Sequence, residues 1–371
     1  MLAVIVYYVF CGLAICAVAG VHKWTTPYAV LVMVALWPAI LCHAMLMCWK
    51  EALEEWRGRG KDGVMSKIEW TQKTWNPVAG CSDKSPGCTN CYAKKMAGRL
   101  EAMGVKKYEG LTVLQGSHRV WTGKIAFDEQ ALLAPLRRKK PTRYFVNSMS
   151  DLFHENVTDE QIDRIFAVMA LCPQHTFQVL TKRPERMLAY LRQVSDERDM
   201  QRWVNAAVEF DLPSPMFDAA VAEWEWPLPN VWLGVSVENQ ATADERIPPL
   251  LQAPAAVRFI SAEPLLGPVD VEAFLGDGES AIGGMEFIEL DWVIVGGESG
   301  PGARPFNIEW ARSIVQQCAA AGVACFVKQM GAKPFMAEDC AIGFTLRDRK
   351  GGDMAEWPED LRVRQMPEVR G

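Results

Sequence analysis

The sequence predicts an α/β protein built on a parallel (β/α) sheet, closed as a partial or complete TIM-type barrel. Short apolar runs recur from residue 144 onward, mostly about 30 residues apart, which is the length of one βαβ unit. Helix-like stretches with apolar residues at helical spacing separate most of these runs. Apolar strands that alternate with helices are typical of a parallel sheet covered by helices. An open doubly wound sheet is the alternative arrangement of the same elements.

The apolar runs define the predicted elements one by one. Six strands follow from them, and a seventh is placed directly before a cysteine-rich segment: Tyr144–Ser148, Phe177–Thr181, Val231–Ser236, Val257–Ser261, Trp292–Gly296, Cys325–Lys328 and Glu69–Ala79. Helices are predicted over Asp159–Leu171, Pro184–Val194 and Ile308–Ala321.

Polar residues follow each predicted strand, at the edge where a parallel barrel builds its site. They are Asn147, Ser148 and Asp151; Thr181, Lys182 and Arg183; Ser236, Glu238 and Asn239; Ser261 and Glu263; Gly297, Glu298 and Ser299; Lys328 and Gln329. About half of such residues are expected to be only caps of the next helix. The others are candidates for ligand binding.

Three cysteines in the cysteine loop, Gly80–Tyr92, are the strongest functional signal. Cys81, Cys88 and Cys91 have the spacing C-x6-C-x2-C, and Pro86-Gly87 and Thr89-Asn90 favour tight turns between them. Three thiolates aimed at one point suit a [4Fe–4S] cluster whose fourth iron is open to a substrate or cofactor. A zinc site with a distant fourth ligand and a merely cysteine-rich turn are the alternatives.

Charge and cysteine usage limit the class of protein. The formal net charge is −6, so the molecule as a whole is not a binder of polyanions. Eleven cysteines in a chain of 371 residues favour a reducing compartment, such as the cytoplasm, over a disulfide framework. Basic residues cluster at Arg137–Lys140 with Arg143, and at Lys182-Arg183 with Arg186. Such runs are more often solvated faces than phosphate contacts.

The first 64 residues differ from the rest. Residues 2–20 and 27–48 contain no Asp, Glu, Lys or Arg, and each run is long enough to span a bilayer. Together they predict a transmembrane hairpin that anchors residues 2–48 in an inner membrane, with both ends in the cytoplasm. Met65 alternatively reads as the natural start of the protein, with residues 1–64 a mis-called extension. The predicted domains are therefore 1–64, a barrel over 65–342 and a charged cap over 343–371.

The phrases WNPVAGC, SPGCTNCYA, LTKRPE, NVWLGVSVEN, ISAEPLLGP, VIVGGESG and VKQMG resemble those of a known group. From about Met65 to Pro367 the chain resembles the phage- and prophage-encoded three-Cys-motif proteins, an uncharacterised family related to radical S-adenosylmethionine enzymes. The resemblance implies a [4Fe–4S] cluster on Cys81, Cys88 and Cys91 whose open iron chelates S-adenosylmethionine. It further implies reductive cleavage to a 5′-deoxyadenosyl radical, fed by an electron donor such as flavodoxin or ferredoxin.

The resemblance also suggests where the cofactor lies. Across the barrel mouth, Glu238 and Asn239 offer acceptors for its ribose and a carboxylate near its positive charge, and Ser148 and Ser236 add hydrogen bonds. Lys182 and Arg183 would meet the cofactor carboxylate or a substrate phosphate. Helix capping is the alternative role of Glu238 and Asn239. The sequence departs from the commonest radical S-adenosylmethionine spacing, C-x3-C-x2-C with an aromatic residue before the third cysteine. Here the first interval is six residues, and Tyr92 follows Cys91.

Three functions fit these features. The first is a radical S-adenosylmethionine-like enzyme that modifies or repairs a nucleic-acid base or nucleotide. The second is a zinc-stabilised barrel that binds a ligand or partner without turnover. The third is a thiol–disulfide enzyme that uses Cys88 and Cys91, for which Cys81 would be dispensable.

Overall fold

The computed structural model describes residues 68–194, 200–210, 224–276, 289–336 and 346–368. The chain divides into two units, Met1–Val64 and Met65–Gly371. The predicted transmembrane hairpin falls outside the described residues. Within those ranges, none of the helices has the length and apolar character needed to cross a membrane.

A seven-stranded parallel sheet forms the centre of the fold. Its strands, β1 to β7, are Lys73–Trp75, Arg143–Val146, Thr176–Thr181, Val231–Ser236, Val257–Ala262, Trp292–Gly296 and Ala324–Gln329. They lie side by side in the order of the sequence, and every neighbouring pair is parallel. A doubly wound sheet would reverse its strand order at a switch point. The doubly wound alternative is therefore wrong, and the fold is a parallel half-barrel.

Eight α-helices are described: α1 Tyr92–Ala102, α2 Glu129–Leu132, α3 Asp159–Ala170, α4 Pro184–Leu191, α5 Gln201–Val208, α6 Gln240–Leu251, α7 Glu272–Leu275 and α8 Ile308–Ala321. Short 3₁₀ helices span Pro86–Cys88, Lys106–Tyr108, Pro135–Arg137, Met354–Glu356 and Glu359–Leu361. Two-residue strands pair Val78–Ala79 with Ala126–Phe127 and Phe306–Asn307 with Pro334–Phe335, and a hairpin joins Thr112–Gln115 to His118–Trp121.

Alternation along each strand separates two cores. On β6, Trp292 and Ile294 pack inside the half-barrel, whereas Val293 and Val295 face the helices. The inner cluster also contains Trp70, Trp232, Val257, Phe259 and Phe326. Because successive side chains of a strand point to opposite faces, an apolar run of this kind is buried on both sides. The inner aromatic cluster fills the half-barrel at the end opposite the carboxyl ends of the strands.

Gly234 shows how tightly the interior is filled. A Cβ atom there would lie 2.5 Å from the ring of Phe259 on the neighbouring strand β5. That separation is shorter than real carbon contacts allow, so only glycine fits at this position. The glycine thus makes room for the Phe259 ring.

The sequence predicted β2 to β7 and helices α3, α4 and α8 to within three residues of their observed bounds. The seventh predicted strand, Glu69–Ala79, was wrong as a single element. It is two strands, Lys73–Trp75 and Val78–Ala79, separated by Asn76 and Pro77. Pro77 has no N–H to donate to a ladder, and the side chain of Asn76 accepts from the backbone N–H of Met149 at 3.1 Å.

Residues 346–368 run along the edge of the sheet at β7. The backbone N–H of Val327 donates to the carbonyl of Val363 at 2.9 Å, and Gln365 donates to the carbonyl of Cys325 at 2.8 Å. Trp357 and Leu361 from this segment are buried in the outer core. The segment therefore covers an edge strand that would otherwise expose unpaired backbone groups.

Candidate functional site

The carboxyl ends of the strands carry a polar layer above the inner aromatic cluster. On β4 the inward positions run from Trp232 through Gly234 to Ser236, and the next inward residue is Glu238. Beyond β5, Glu263 pairs with Lys328 of β7, whose ammonium lies 2.7 Å from one carboxylate oxygen. The period-2 pattern therefore changes from apolar to charged side chains at the mouth of the half-barrel.

The cysteine loop lies across this mouth. The 3₁₀ helix Pro86–Cys88 begins directly after Ser85, and Cys91 immediately precedes α1. Backbone bonds from Cys88 to Ser85 at 2.9 Å and from Cys91 to Cys88 at 3.3 Å close two consecutive turns. The three cysteines are partly buried and carry free thiols.

Ser85 ties the loop to the ends of β3 and β4. Its hydroxyl donates to Glu238 at 2.8 Å and accepts from the ammonium of Lys182 at 3.1 Å. Lys182 and Glu238 also form a direct ion pair. A Cβ atom at Gly87 would lie 2.5 Å from the Glu238 carboxylate, so the loop backbone rests directly on this pair.

Glu238 is the buried centre of this contact, with 0% of its surface exposed. Arg246, on α6, donates to its second carboxylate oxygen at 3.1 Å and is itself buried. Burial alone would raise the pKa of Glu238, but Lys182 and Arg246 outweigh it and hold the pKa below its ordinary value. Glu238 is therefore ionised and compensated by two cations.

Glu298, at the end of β6, binds the other side of the loop. It accepts from the amide of Asn90 at 3.0 Å and forms a fork-like pair with Arg304, with contacts of 2.7 and 3.0 Å. Arg304 also donates to the carbonyl of Pro86 at 2.9 Å. Asn90 and Pro86 flank Cys88 on its two sides, so Glu298 and Arg304 clamp the turn that carries Cys88 and Cys91.

Ser82 fixes the beginning of the loop. Its hydroxyl hydrogen-bonds with Arg183 at 2.7 Å, with His154 at 2.9 Å and with Glu155 at 2.9 Å. Arg183 is held in turn by Asp151, 3.1 Å away. Burial, and then the neighbouring Arg183, lower the pKa of His154, so its imidazole is neutral at pH 7.

The thiols themselves are electrostatically coupled. Burial raises the pKa of Cys81 to about 12, with Asp151, Cys88 and Cys91 as further causes that raise it. Burial also raises the pKa of Cys91, whereas hydrogen bonds from the backbone N–H groups of Ala93 and Lys94 lower it by a smaller amount. Three thiolates here would repel one another unless a bound cation compensated them, and this donor set suits a metal or an iron–sulfur cluster.

The positions of the thiols do not amount to a formed metal site. Among the described residues, no group of three or more His, Cys, Asp or Glu side chains is arranged so that it could hold a metal ion. Ligation by Cys81, Cys88 and Cys91 together would require the thiols to converge. The metal centre therefore stays a prediction.

The remaining predicted site residues have ordinary structural contacts. The hydroxyl of Ser148 donates to Asn76 at 3.1 Å, and its carbonyl accepts from Tyr92 at 2.6 Å. Ser236 is buried at the mouth, and its carbonyl accepts from Arg246 at 2.8 Å. Asn239 caps α6, because its side chain accepts from the backbone N–H of Thr242 at 3.0 Å. Helix capping thus accounts for Asn239, whereas Glu238 pairs with cations.

The two basic clusters differ in position. Arg137–Lys140 precedes β2 and therefore lies at the amino-terminal end of the sheet, opposite the mouth. In the other cluster, Lys182 pairs with Glu238, Arg183 with Asp151 and Glu155, and Arg186 with Asp159. The three cations of this second cluster therefore form ion pairs with carboxylates of the chain itself.

Sequence reasoning did not single out Ser85, Asn90, Arg246 or Arg304. Ser85 and Asn90 lie inside the cysteine motif, and their position between the cysteines was the available signal. Arg246 and Arg304 gave no signal, since an arginine on a helix or in a loop does not reveal a partner distant in sequence.

The fold and site define a class: an α/β protein with a parallel half-barrel whose mouth is crossed by a three-cysteine loop. Residues 65–355 match the family described as a protein of unknown function, DUF5131. The match covers more than half of the chain, which therefore belongs to this family. Neither the curated proteins nor the solved structures contain a match to the chain.

Proposed function

We propose that the protein is an iron–sulfur enzyme of the radical S-adenosylmethionine type, encoded by a phage or prophage, that acts on a nucleic-acid base or nucleotide. One observation carries the proposal: the loop with Cys81, Cys88 and Cys91 is bound across the carboxyl ends of a parallel sheet. Enzymes with parallel β/α barrels build their active sites at this edge. A reducible cluster there would supply one electron for cleavage of the bound sulfonium cofactor.

The residues of the chain have defined tasks under this proposal. Cys81, Cys88 and Cys91 would hold the cluster, and three ligands leave one iron for the cofactor. Lys182, Glu238 and Ser85 orient the loop over the mouth, since they bind one another directly. Ser148 and Ser236 lie at the ends of β2 and β4 and would supply hydrogen bonds to the cofactor. The inner aromatic cluster closes the floor and excludes water from that side.

Anaerobic reconstitution tests the proposal. The purified protein is incubated with iron and sulfide, and then with S-adenosylmethionine and a strong reductant. The expected result is a brown protein with about four iron and four sulfide ions per chain, which releases 5′-deoxyadenosine and methionine. A protein that takes up no iron, or that binds iron without cleaving the cofactor, would contradict the proposal.

A zinc-stabilised binding module is the second candidate. One observation favours it: the mouth carboxylates Glu238, Glu263 and Glu298 are each already paired with a cation of the chain. Such a mouth holds the loop firmly and leaves these charges satisfied without a substrate. A colourless protein with one zinc and no sulfide after anaerobic purification would support this function and exclude the first.

A further inference from the structure

The exposed apolar side chains of the described residues are concentrated beside the cysteine loop. Seven large hydrophobic residues of the described part of the chain are exposed, and all except Val208 lie between residues 92 and 114: Tyr92, Met96, Met103, Val105, Val113 and Leu114. They belong to α1, to the segment after it and to the hairpin Thr112–Trp121. We call residues 92–124 the helix–hairpin surface.

We infer that the helix–hairpin surface binds a nucleic-acid strand and presents one of its bases to the mouth of the half-barrel. This inference rests on the proposed function, because it names the form of the substrate and the place where it docks.

Helix α1 has two distinct faces. Ala93 and Ala97 are buried in a small cluster with Tyr108, Leu111 and Met149. On the other face, Tyr92, Met96 and Met103 repeat at helical spacing, and Met103 is 76% exposed. A helix that needs only one face for its core has no packing reason to keep methionines on the other.

The hairpin continues the exposed surface. Arg119 lies across α1 so closely that a Cβ atom at Gly98 would be 2.2 Å from its guanidinium group. In the first strand of the hairpin, the neighbouring residues Val113 and Leu114 are both exposed, Leu114 at 68%. Side chains on both faces of this two-stranded ribbon therefore reach solvent, and the ribbon presents apolar side chains to a ligand.

The charge of the surface is opposite to that of the molecule. Residues 92–124 contain seven Lys and Arg against two Glu, a net charge of +5 in a chain whose net charge is −6. Lys94 and Lys107 pair with Asp83 and Asp128 outside this range, which leaves a net charge of +3 for the surface. Lys95, Arg99, Lys106 and Lys124 are exposed, and within the described part of the chain none of them pairs with a carboxylate. A local surface of this kind attracts an anionic polymer despite the acidic remainder.

A nucleic acid matches both features at once. Its phosphates pair with exposed Lys and Arg, and its bases offer apolar faces once they are unstacked. Chemistry on a base requires that the base leave the stack, and proteins that bend or open nucleic acids insert aliphatic side chains such as Leu and Met between bases. Val113 and Leu114 on a protruding ribbon are suited to this task.

The helix–hairpin surface begins next to the mouth of the half-barrel. Tyr92 follows Cys91 directly, and its hydroxyl donates to the carbonyl of Ser148 at the end of β2. The apolar stripe of α1 therefore begins at the mouth. The earlier basic clusters do not compete for this role: Arg137–Lys140 lies at the opposite end of the sheet, and Lys182, Arg183 and Arg186 pair with carboxylates of the chain.

Fluorescence anisotropy with the full chain and a labelled single-stranded DNA of about 20 nucleotides tests the inference. Replacement of Lys95 and Arg99 together by Ala should weaken binding at least tenfold. It should also make the logarithmic salt dependence of affinity shallower by about 1.4, since two phosphate contacts are lost. Both positions are exposed on α1, where alanine favours the helix. The matched control replaces Arg137 and Lys139 by Ala and should leave the affinity unchanged.

A second measurement tests the apolar contact. Replacement of Val113 and Leu114 together by Ser should abolish the rise in 2-aminopurine fluorescence that wild-type protein causes on binding a duplex with this base. Affinity should fall less than threefold.

The outcomes separate the two proposals. A chain without iron that still binds DNA through Lys95 and Arg99 supports the docking surface and refutes the cluster. A chain that cleaves the cofactor but binds no DNA, or loses as much affinity in the control variant, overturns the docking surface. The surface would then belong to a protein partner.

Discussion

Lys182 and Glu238 form an ion pair directly beneath the cysteine loop, and Ser85 of that loop hydrogen-bonds to both. Lys182 follows β3 and Glu238 follows β4, so one loop residue joins two neighbouring strand ends. Arg246 holds the same carboxylate from α6. The position of the cysteines is thus determined by charges that the barrel itself supplies.

Replacement of Glu238 by Gln should destabilise the protein by about 3 kcal/mol, because it leaves the buried guanidinium of Arg246 and the ammonium of Lys182 without a counter-charge. Urea unfolding measures the loss. Asn239→Ala is the matched control: it removes only the cap of α6 and should cost about 1 kcal/mol. A Glu238→Gln variant as stable as the wild type would show that the pair does not hold the loop. Weaker S-adenosylmethionine binding in the same variant would add a cofactor role.

Replacement of Arg304 by Ala should loosen the loop. The change removes the bond to the carbonyl of Pro86 and the fork to Glu298. In metal-free protein, alkylation of Cys88 and Cys91 should become roughly fivefold faster, the factor given by about 1 kcal/mol of lost hydrogen bonding. The control is Arg312→Ala, since Arg312 pairs with Glu309 and Asp360 outside the loop. Equal alkylation rates in both variants would exclude the clamp.

Acid should weaken the site in a defined direction. Burial favours a higher pKa of Glu298, but Arg304 and Asn90 outweigh it and lower the pKa below the ordinary value, as Lys182 and Arg246 do for Glu238. A carboxyl whose pKa is lower in the folded state than in the unfolded chain stabilises the fold at every pH above its unfolded-state pKa, which is near 4.3. This stabilisation is lost as the pH falls through the folded-state pKa.

The contribution of these two carboxyls to the free energy of unfolding should therefore be level from about pH 7 to 5 and decline below about pH 4.3. Glu298→Gln should be less stable at pH 7 and should lose less stability on acidification. Urea titrations at a series of pH values measure both quantities. A variant that declines as steeply as the wild type would place the acid sensitivity elsewhere.

Much of this architecture could be predicted because a strand that is buried on both faces is a continuous apolar run in the sequence. The run Trp292–Gly296 is apolar throughout, since alternate residues face the inner aromatic cluster and the helices. The prediction of one strand over Glu69–Ala79 failed because the interruption depends in part on Asn76, whose side chain accepts from the backbone N–H of Met149, a residue distant in sequence.

The site could be predicted only in outline. The cysteines and the polar strand ends follow from local patterns, and Glu238 was selected on that basis. Its partner Arg246 and the clamp residue Arg304 could not be selected, since Arg304 contacts Pro86 from more than two hundred residues away along the chain. The pattern of charges in the sequence also could not show that Lys182 and Arg183 form ion pairs with carboxylates of the same chain.

Metal analysis of the cysteine variants tests the central claim most directly. Wild-type protein, Cys81→Ala, Cys88→Ala, Cys91→Ala and the control Cys172→Ala, a buried thiol outside the loop, are purified and reconstituted without oxygen. Iron and acid-labile sulfide are then measured. About four of each are expected in the wild type and in the control, and almost none in the three loop variants, because two thiolates do not hold a cubane cluster firmly. Full iron content in any loop variant, or one zinc without sulfide in the wild type, would contradict the account.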